Sequence, residues 1–175
     1  MAIWISILEG TLFTEGDGVV GDTNECISMD VMSILVRILF IAGFGPIPDD
    51  LAPSKKLYRD DLEIEFKEYD GGYLHAQKID GSKGFAIWPL SLAAEDCFGS
   101  KIWPEDVPKP QAWLEFEVED VKEASREMKR KGYKLLLDSH TEPYGQIVSR
   151  FLSPEGILVG LVITPWLRDT SLESP

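Results

Sequence analysis

Residues 112–164 read AWLEFEVEDV KEASREMKRK GYKLLLDSHT EPYGQIVSRF LSPEGILVGL VIT. The stretch parses as strand, helix, strand, turn, strand, turn, strand. Trp113 to Val118 alternates large and polar side chains, the period of a half-buried strand. Val121 to Lys131 has a helical pattern and stops at Gly132, where a C-cap glycine is expected. Tyr133 to Leu137 and Gln146 to Leu152 read as strands, and Ser153-Pro154-Glu155-Gly156 turns the chain into Ile157 to Ile163, apolar on both faces. A βαβββ unit of this size leaves one sheet face uncovered, so it requires a partner.

The chain supplies a second unit of the same order upstream. Arg37 to Ile47 is a buried-strand candidate rich in Ile, Leu and Phe, and Ala52 to Asp60 follows as a helix with Pro53 near its first turn. Leu62 to Glu68, Gly72 to Ile79 and Lys83 to Pro89 are strand candidates, separated by the turn signals Asp70-Gly71-Gly72 and Asp80-Gly81. Ser91 to Phe98 is a short helix, and the prolines at 104, 108 and 110 mark a linker. The expected division is an N-terminal extension (1–33), a first module (34–99), a linker (100–110), a second module (111–167) and a tail (168–175). The repeat is one of topology, since the two modules share little sequence.

Composition narrows the class. At 175 residues, with 44% hydrophobic residues and five Trp, the chain suits one domain or two small modules sharing a core. A net charge of −13 argues against nucleic acid or an anionic membrane surface as partner. Cys26 and Cys97 are far apart and frame neither a disulfide scaffold nor a metal knuckle. Ile34 to Ile47 is strongly apolar but broken by Arg37, two glycines and a proline, so no membrane span is expected and the setting reads as cytoplasmic. The first 31 residues hold six acidic and no basic residues, without the basic start of a secretory signal. They read as an added edge hairpin or as an upstream start preceding Met29 and Met32, and carry no visible chemistry.

Phe116-Glu117-Val118-Glu119-Asp120-Val121, Glu142-Pro143-Tyr144-Gly145-Gln146 and Phe151-Leu152-Ser153-Pro154-Glu155-Gly156 resemble motifs of the glyoxalase/bleomycin resistance/dioxygenase (vicinal oxygen chelate) superfamily. Upstream, Ser54-Lys55-Lys56-Leu57-Tyr58-Arg59-Asp60 is similar to the first helix of that group, and the likeness spans roughly residues 36 to 166. The resemblance implies an α+β fold of paired βαβββ modules, with mixed curled sheets forming a cleft and helices on the convex side. It also implies, for the enzymes of the group, a divalent metal held by His and Glu on the first and last strands of each module. This chain departs from that pattern. Ile38 to Ile47, Gly84 to Leu90 and Ile157 to Ile163 contain no His, Glu, Asp or Cys; Trp113 stands where a His is usual and Gly160 where a Glu is. Glu115 and Glu117 alone remain as donors, so no metal and no other cofactor is expected.

Strand alternation puts Trp113, Glu115 and Glu117 on the face opposite Leu114, Phe116 and Val118, toward the cleft. Leu158, Gly160 and Val162 would form its floor, with Gly160 leaving room for a ligand. Tyr144 and Gln146 border it, Trp88 and Trp103 add aromatic walls, and His75 and Arg150 lie on neighbouring strands. The ligand-binding set is therefore Trp113, Glu115, Tyr144, Gln146, Arg150, Gly160, Trp88 and His75, suited to a flat or cationic organic molecule. Each has a plainer reading: Trp113 as core filling, Glu115 as a partner for Arg150, His75 as a satisfied strand residue, His140 as a solvated turn residue, and Trp103 and Trp166 as anchors of a homodimer. No nucleophile elbow, phosphate loop or dinucleotide fingerprint is present. Three functions follow: a metal-free binding protein of the bleomycin-resistance kind that sequesters an aromatic or cationic compound; an enzyme of the same fold with an unusual site around Glu115, Glu117 and His75; or a structural or regulatory module whose cleft is filled by its own side chains.

Overall fold

A computed structural model describes residues 36–169. The elements run β1 (Ile38–Pro46), α1 (Leu51–Ser54) continuing into a π-helical segment (Lys55–Asp61), β2 (Phe66–Glu68), β3 (Leu74–Ala76), β4 (Ala86–Ile87) and α2 (Leu90–Phe98). They continue as β5 (Ala112–Val118), α3 (Val121–Arg130), β6 (Leu135–Thr141), β7 (Ile147–Leu152), β8 (Leu158–Ile163) and α4 (Pro165–Arg168). The βαβββ order occurs twice, as the sequence predicts. The expected N-terminal extension (1–33) lies outside the described residues.

The sheet topology explains how the two modules complete each other. One sheet has the order β1-β5-β8-β7-β6 and the other β2-β3-β4. β1 of the first module pairs antiparallel with β5 of the second, Gly43 opposite Glu115 and Gly45 opposite Trp113. β5 and β8 are parallel, while β7 pairs antiparallel with both β8 and β6. The smaller sheet joins the larger through a parallel bridge, Phe44 to Phe85. Phe44 N–H donates to the Gly84 carbonyl at 3.2 Å and Trp88 N–H to the Pro46 carbonyl at 3.0 Å, which extends that seam. The eight strands thus curl around one cleft within a single chain.

β2, β3 and β4 are shorter than the runs predicted from sequence. The strand candidates were set by apolar content, but Gln77-Lys78-Ile79-Asp80-Gly81-Ser82-Lys83 is mostly polar and turns at Gly81 (φ 85°). Ahead of β2, Glu63 takes φ 55°, which breaks extended pairing there.

Local chemistry sets the second helix of the repeat. Asp120 caps α3, its side chain accepting from Glu123 N–H at 3.0 Å, and Gly132 ends it with φ 91°. Val121 and Ala124 on its inner face pack with Val118, Phe151, Val159 and Leu161, the convex side of the larger sheet. Burying such side chains is worth roughly 1.5–3 kcal/mol each for Val or Leu. In the first module Tyr58, on the π-helical segment, meets Phe85 edge-on at 5.5 Å on the equivalent side. Two helices depart from the expected convex placement. Leu92 and Asp96 of α2 and Trp166 and Leu167 of α4 line the cleft. The short connection from β4 leads α2 inward, and Ala93, Ala94 and Cys97 pack with Trp88, Trp113 and Leu158. Among the described residues no helix is long and apolar enough to cross a membrane.

Candidate functional site

β5 carries the centre of the cleft. Its even-numbered residues Phe116 and Val118 join the α3 core, so Trp113, Glu115 and Glu117 point the other way. Trp113 is 7% exposed and lies across β1, where glycine makes room for it. A Cβ at Gly43 would stand 2.6 Å from the indole Cη2. Trp113 Nε1 donates to the Ala86 carbonyl at 3.3 Å, and its ring meets Trp88 edge-on at 5.9 Å. Trp113 is therefore both core and wall: it stitches β5 to β4 and presents an edge to the cavity.

The cavity has a volume of about 380 Å³. Of the residues named from sequence, Trp113, Glu115, Tyr144, Gln146, Arg150, Trp88 and His75 all border it. Gly160 does not, and its predicted role is corrected. A Cβ there would lie 2.7 Å from Glu115 Cγ, so this glycine makes space for a side chain of the neighbouring strand rather than for a ligand. Leu158 and Val162 likewise belong to packed clusters and not to a ligand-facing floor. Glu117 is fully buried and closed off from the cavity: its carboxylate accepts from Thr164 N–H at 2.9 and 3.1 Å and pairs with Arg168. The Thr164 bonds hold the start of α4 and the Arg168 ion pair its end, and together they set the position of Trp166. Trp103, predicted as a wall or dimer anchor, is instead buried in the chain's own core, with Nε1 donating to the Val107 carbonyl at 3.0 Å and its ring against Phe98.

Polar groups enter the cavity from several elements. Gln146 Nε2 donates to Glu115 Oε2 at 3.3 Å and to Thr164 Oγ1 at 3.1 Å. The Tyr144 hydroxyl approaches Gln146 Oε1 at 3.5 Å. Arg150 does not pair with Glu115 as predicted. Its Nη1 donates to Glu142 Oε1 at 3.0 Å, because the turn at Glu142-Pro143-Tyr144-Gly145 folds Glu142 back beside β7. The Arg150 guanidinium also stacks over Trp88, 5.1 Å from the ring centre.

Burial governs the charges. It raises the Glu115 carboxyl above the ordinary carboxylate range, with Arg150 and the Gln146 amide opposing. It pushes Asp96 up to about 6, again against Arg150. The Tyr73 and Tyr144 hydroxyls are raised by the same cause. His75 is lowered by burial and by Lys67, so it is neutral near pH 7, and among the described residues no carboxylate pairs with it. His140 stays half-exposed, 4.0 Å from Glu142.

The residues do not fit a divalent metal. Among the described residues no three His, Cys, Asp or Glu side chains converge on one point. Glu117, the second candidate donor, is already engaged by Arg168 and Thr164.

Asp96, Tyr69 and Tyr73 also border the cavity and escaped the sequence reading. Leu92 and Asp96 share one face of α2 by their i, i+4 spacing, a signal visible in the sequence once that helix is taken as cleft-facing.

No protein-family model and no curated protein matches the chain. Solved structures do. A glyoxalase/bleomycin resistance protein/dioxygenase superfamily member from Vibrio splendidus is 16% identical, with 73% of this chain and 98% of that chain covered and a TM-score of 0.47. Methylmalonyl-CoA epimerase from Mycobacterium tuberculosis is 18% identical, covering 78% and 97%, with a TM-score of 0.46. An NAD-dependent benzaldehyde dehydrogenase structure from Legionella pneumophila is 14% identical, covering 69% and 96%, with a TM-score of 0.44. At these values the likeness concerns the path of the chain and not its activity.

Proposed function

We propose that this chain is a metal-free, small-molecule-binding protein of the glyoxalase/bleomycin resistance/dioxygenase kind, whose cleft takes a flat organic cation. One observation carries the reading: two carboxylates, Glu115 and Asp96, face an aromatic cavity without a cation of their own. Arg150 is neutralised by Glu142. Lys83, the remaining basic residue at the cavity, lies on the first-module side with its ammonium over the Phe40 ring. The cavity therefore keeps surplus negative charge in surroundings that penalise it, as the upward displacement of both carboxyls reflects. A cation relieves that penalty, and the faces of Tyr73, Tyr144 and Trp166 supply the stacking surface. The open volume speaks against a cleft filled by its own side chains. A cytoplasmic setting, from composition, and a homodimer, from the Trp166 anchor, remain parts of the proposal.

An enzymatic reading draws on the raised Glu115 carboxyl, which suits a general acid or base. Of the partners that reading named for Glu115, Glu117 is sealed by Arg168 and His75 has no carboxylate beside it among the described residues.

The test is calorimetric titration of the purified chain with aromatic amines and quaternary aromatic cations, beside neutral isosteres. Cations should bind at least about tenfold more tightly than isosteres, a preference Glu115→Gln should remove. Equal affinity for charged and neutral compounds would refute the reading.

A further inference from the structure

Arg150 has unused capacity that the charge argument leaves unexplained. The residue is 2% exposed and sits on β7 at the cavity wall. A guanidinium has five N–H donors in a fixed fork. Among the described residues its one hydrogen bond is the one from Nη1 to Glu142, and its Nε is buried with no partner at all. Its face lies on Trp88 and its charge is held by Glu142, so it has little freedom to turn elsewhere for partners. Burial would lower its pKa, but Glu115, Cys97, Glu142 and Asp96 together outweigh that and keep it raised. A buried donor left unsatisfied is costly, which makes this an expensive group for a fold to keep unless something else completes it.

Resting on the cation reading above, we propose that the ligand also presents a neutral acceptor oxygen, a carbonyl or amide, to the free edge of the Arg150 guanidinium. The local charge count selects neutral over anionic. Three carboxylates, Glu115, Glu142 and Asp96, already act on this one guanidinium. A ligand carboxylate would add a fourth negative charge, and like charges at such range repel strongly in a half-buried site. A carbonyl accepts from the guanidinium without that repulsion, and a charge-assisted bond of this kind is stronger than a neutral one. The ligand class is thus an aromatic body with a protonated nitrogen on the Glu115 and Asp96 side and a carbonyl on the Arg150 side.

The probes are three compounds on one scaffold: tryptamine, which is cationic only; tryptophanamide, which adds a neutral carbonyl; and tryptophan, which adds a carboxylate. The phenyl series (phenethylamine, phenylalaninamide, phenylalanine) repeats the comparison on a smaller body. The proposal expects the amide to bind roughly 10- to 100-fold more tightly than the amine, as a hydrogen bond to a charged group allows. The free acid should fall below the amide. Arg150→Lys keeps the charge but loses the fork, and should erase the advantage of the amide over the amine, read as the ratio of the two affinities within the variant. Should that variant fail to fold, the arginine Nε–H resonance of the unaltered chain gives the same answer. It should move with tryptophanamide or phenylalaninamide and stay put with the corresponding amine. Equal binding of amine and amide with a static Nε–H signal would overturn the acceptor and leave the cation reading standing. Tightest binding by the free acid would overturn the neutral choice. Absence of binding by every amine would overturn both.

Discussion

Removing Arg168 tests how the C-terminal wall of the cleft is held. Glu117 is 0% exposed, and its carboxylate has two kinds of partner, the Thr164 N–H and the Arg168 guanidinium. Arg168 also donates to the Val118 carbonyl, so it ties α4 to β5 twice. Arg168→Ala leaves a buried carboxylate on a single backbone donor. Breaking a fully buried pair costs on the order of 3–5 kcal/mol, because the surviving charge is uncompensated. The Arg168 side chain is 33% exposed, so water offers partial relief and about 2 kcal/mol is expected here. For a chain of this size that lowers the melting temperature by about 4–8 °C. Glu117→Gln removes the charge and leaves an amide oxygen for Thr164. In this background, loss of Arg168 should cost little more, giving a coupling of about 2 kcal/mol in a double-mutant cycle read by urea denaturation. Trp166 sits on the same segment beside Tyr144, so its fluorescence should redshift in Arg168→Ala before global unfolding. A melting temperature within about 1 °C of the parent, or strictly additive losses in the cycle, would refute this account of the pair.

Gly160→Ala should force the Glu115 side chain to give way, since the new Cβ would lie 2.7 Å from its Cγ. A loss of about 1–3 kcal/mol in urea denaturation, with weaker binding of aromatic cations, is expected, and an unchanged chain would show the carboxylate to be freer than described. Asp96 gives a pH signature. In the folded chain it holds its proton up to about pH 6, against about 3.9 for an ordinary aspartate. The folded state therefore binds more protons across that interval, and this group's contribution to stability falls as pH rises through it. Chemical denaturation of Asp96→Asn against the parent from pH 3.5 to 7 should show the variant gaining relative stability as pH rises. Parallel curves would show that its partial burial does not hold the proton.

The order of elements was legible because two unlike periods alternate along the chain, and Gly132 and Gly156 punctuate them where positive φ is needed. Alternation along β5 also placed Trp113 and Glu115 in the cleft. What sequence could not supply was partner choice between strands. Gly160 looked like an opening for a ligand because nothing in its own strand shows that Glu115 lies directly opposite it in β8's parallel pairing with β5. Arg150 had several carboxylates within plausible reach, and a turn geometry rather than any pattern gave it Glu142. The inward course of α2 was equally hidden, as a short helix with Ala and Leu on one face suits either side of a sheet.

The seam between β1 and β5 bears on how the chain reaches this state. Gly43 and Glu115 face each other across it, and Gly45 approaches β4 so closely that a Cβ would come within 1.8 Å of the Ala86 carbonyl oxygen. These contacts join residues distant along the chain, so they carry the largest loop-closure entropy and are the slow ones to form. During synthesis the first module emerges with β1 lacking β5, and the binding cavity has only its first-module walls, among them Tyr73, Trp88 and Asp96, until the ribosome has released the second. Ligand capture is in this sense a report on completed folding: a half-made chain has one side of the cavity and lacks Trp113, Glu115 and Arg150 on the other.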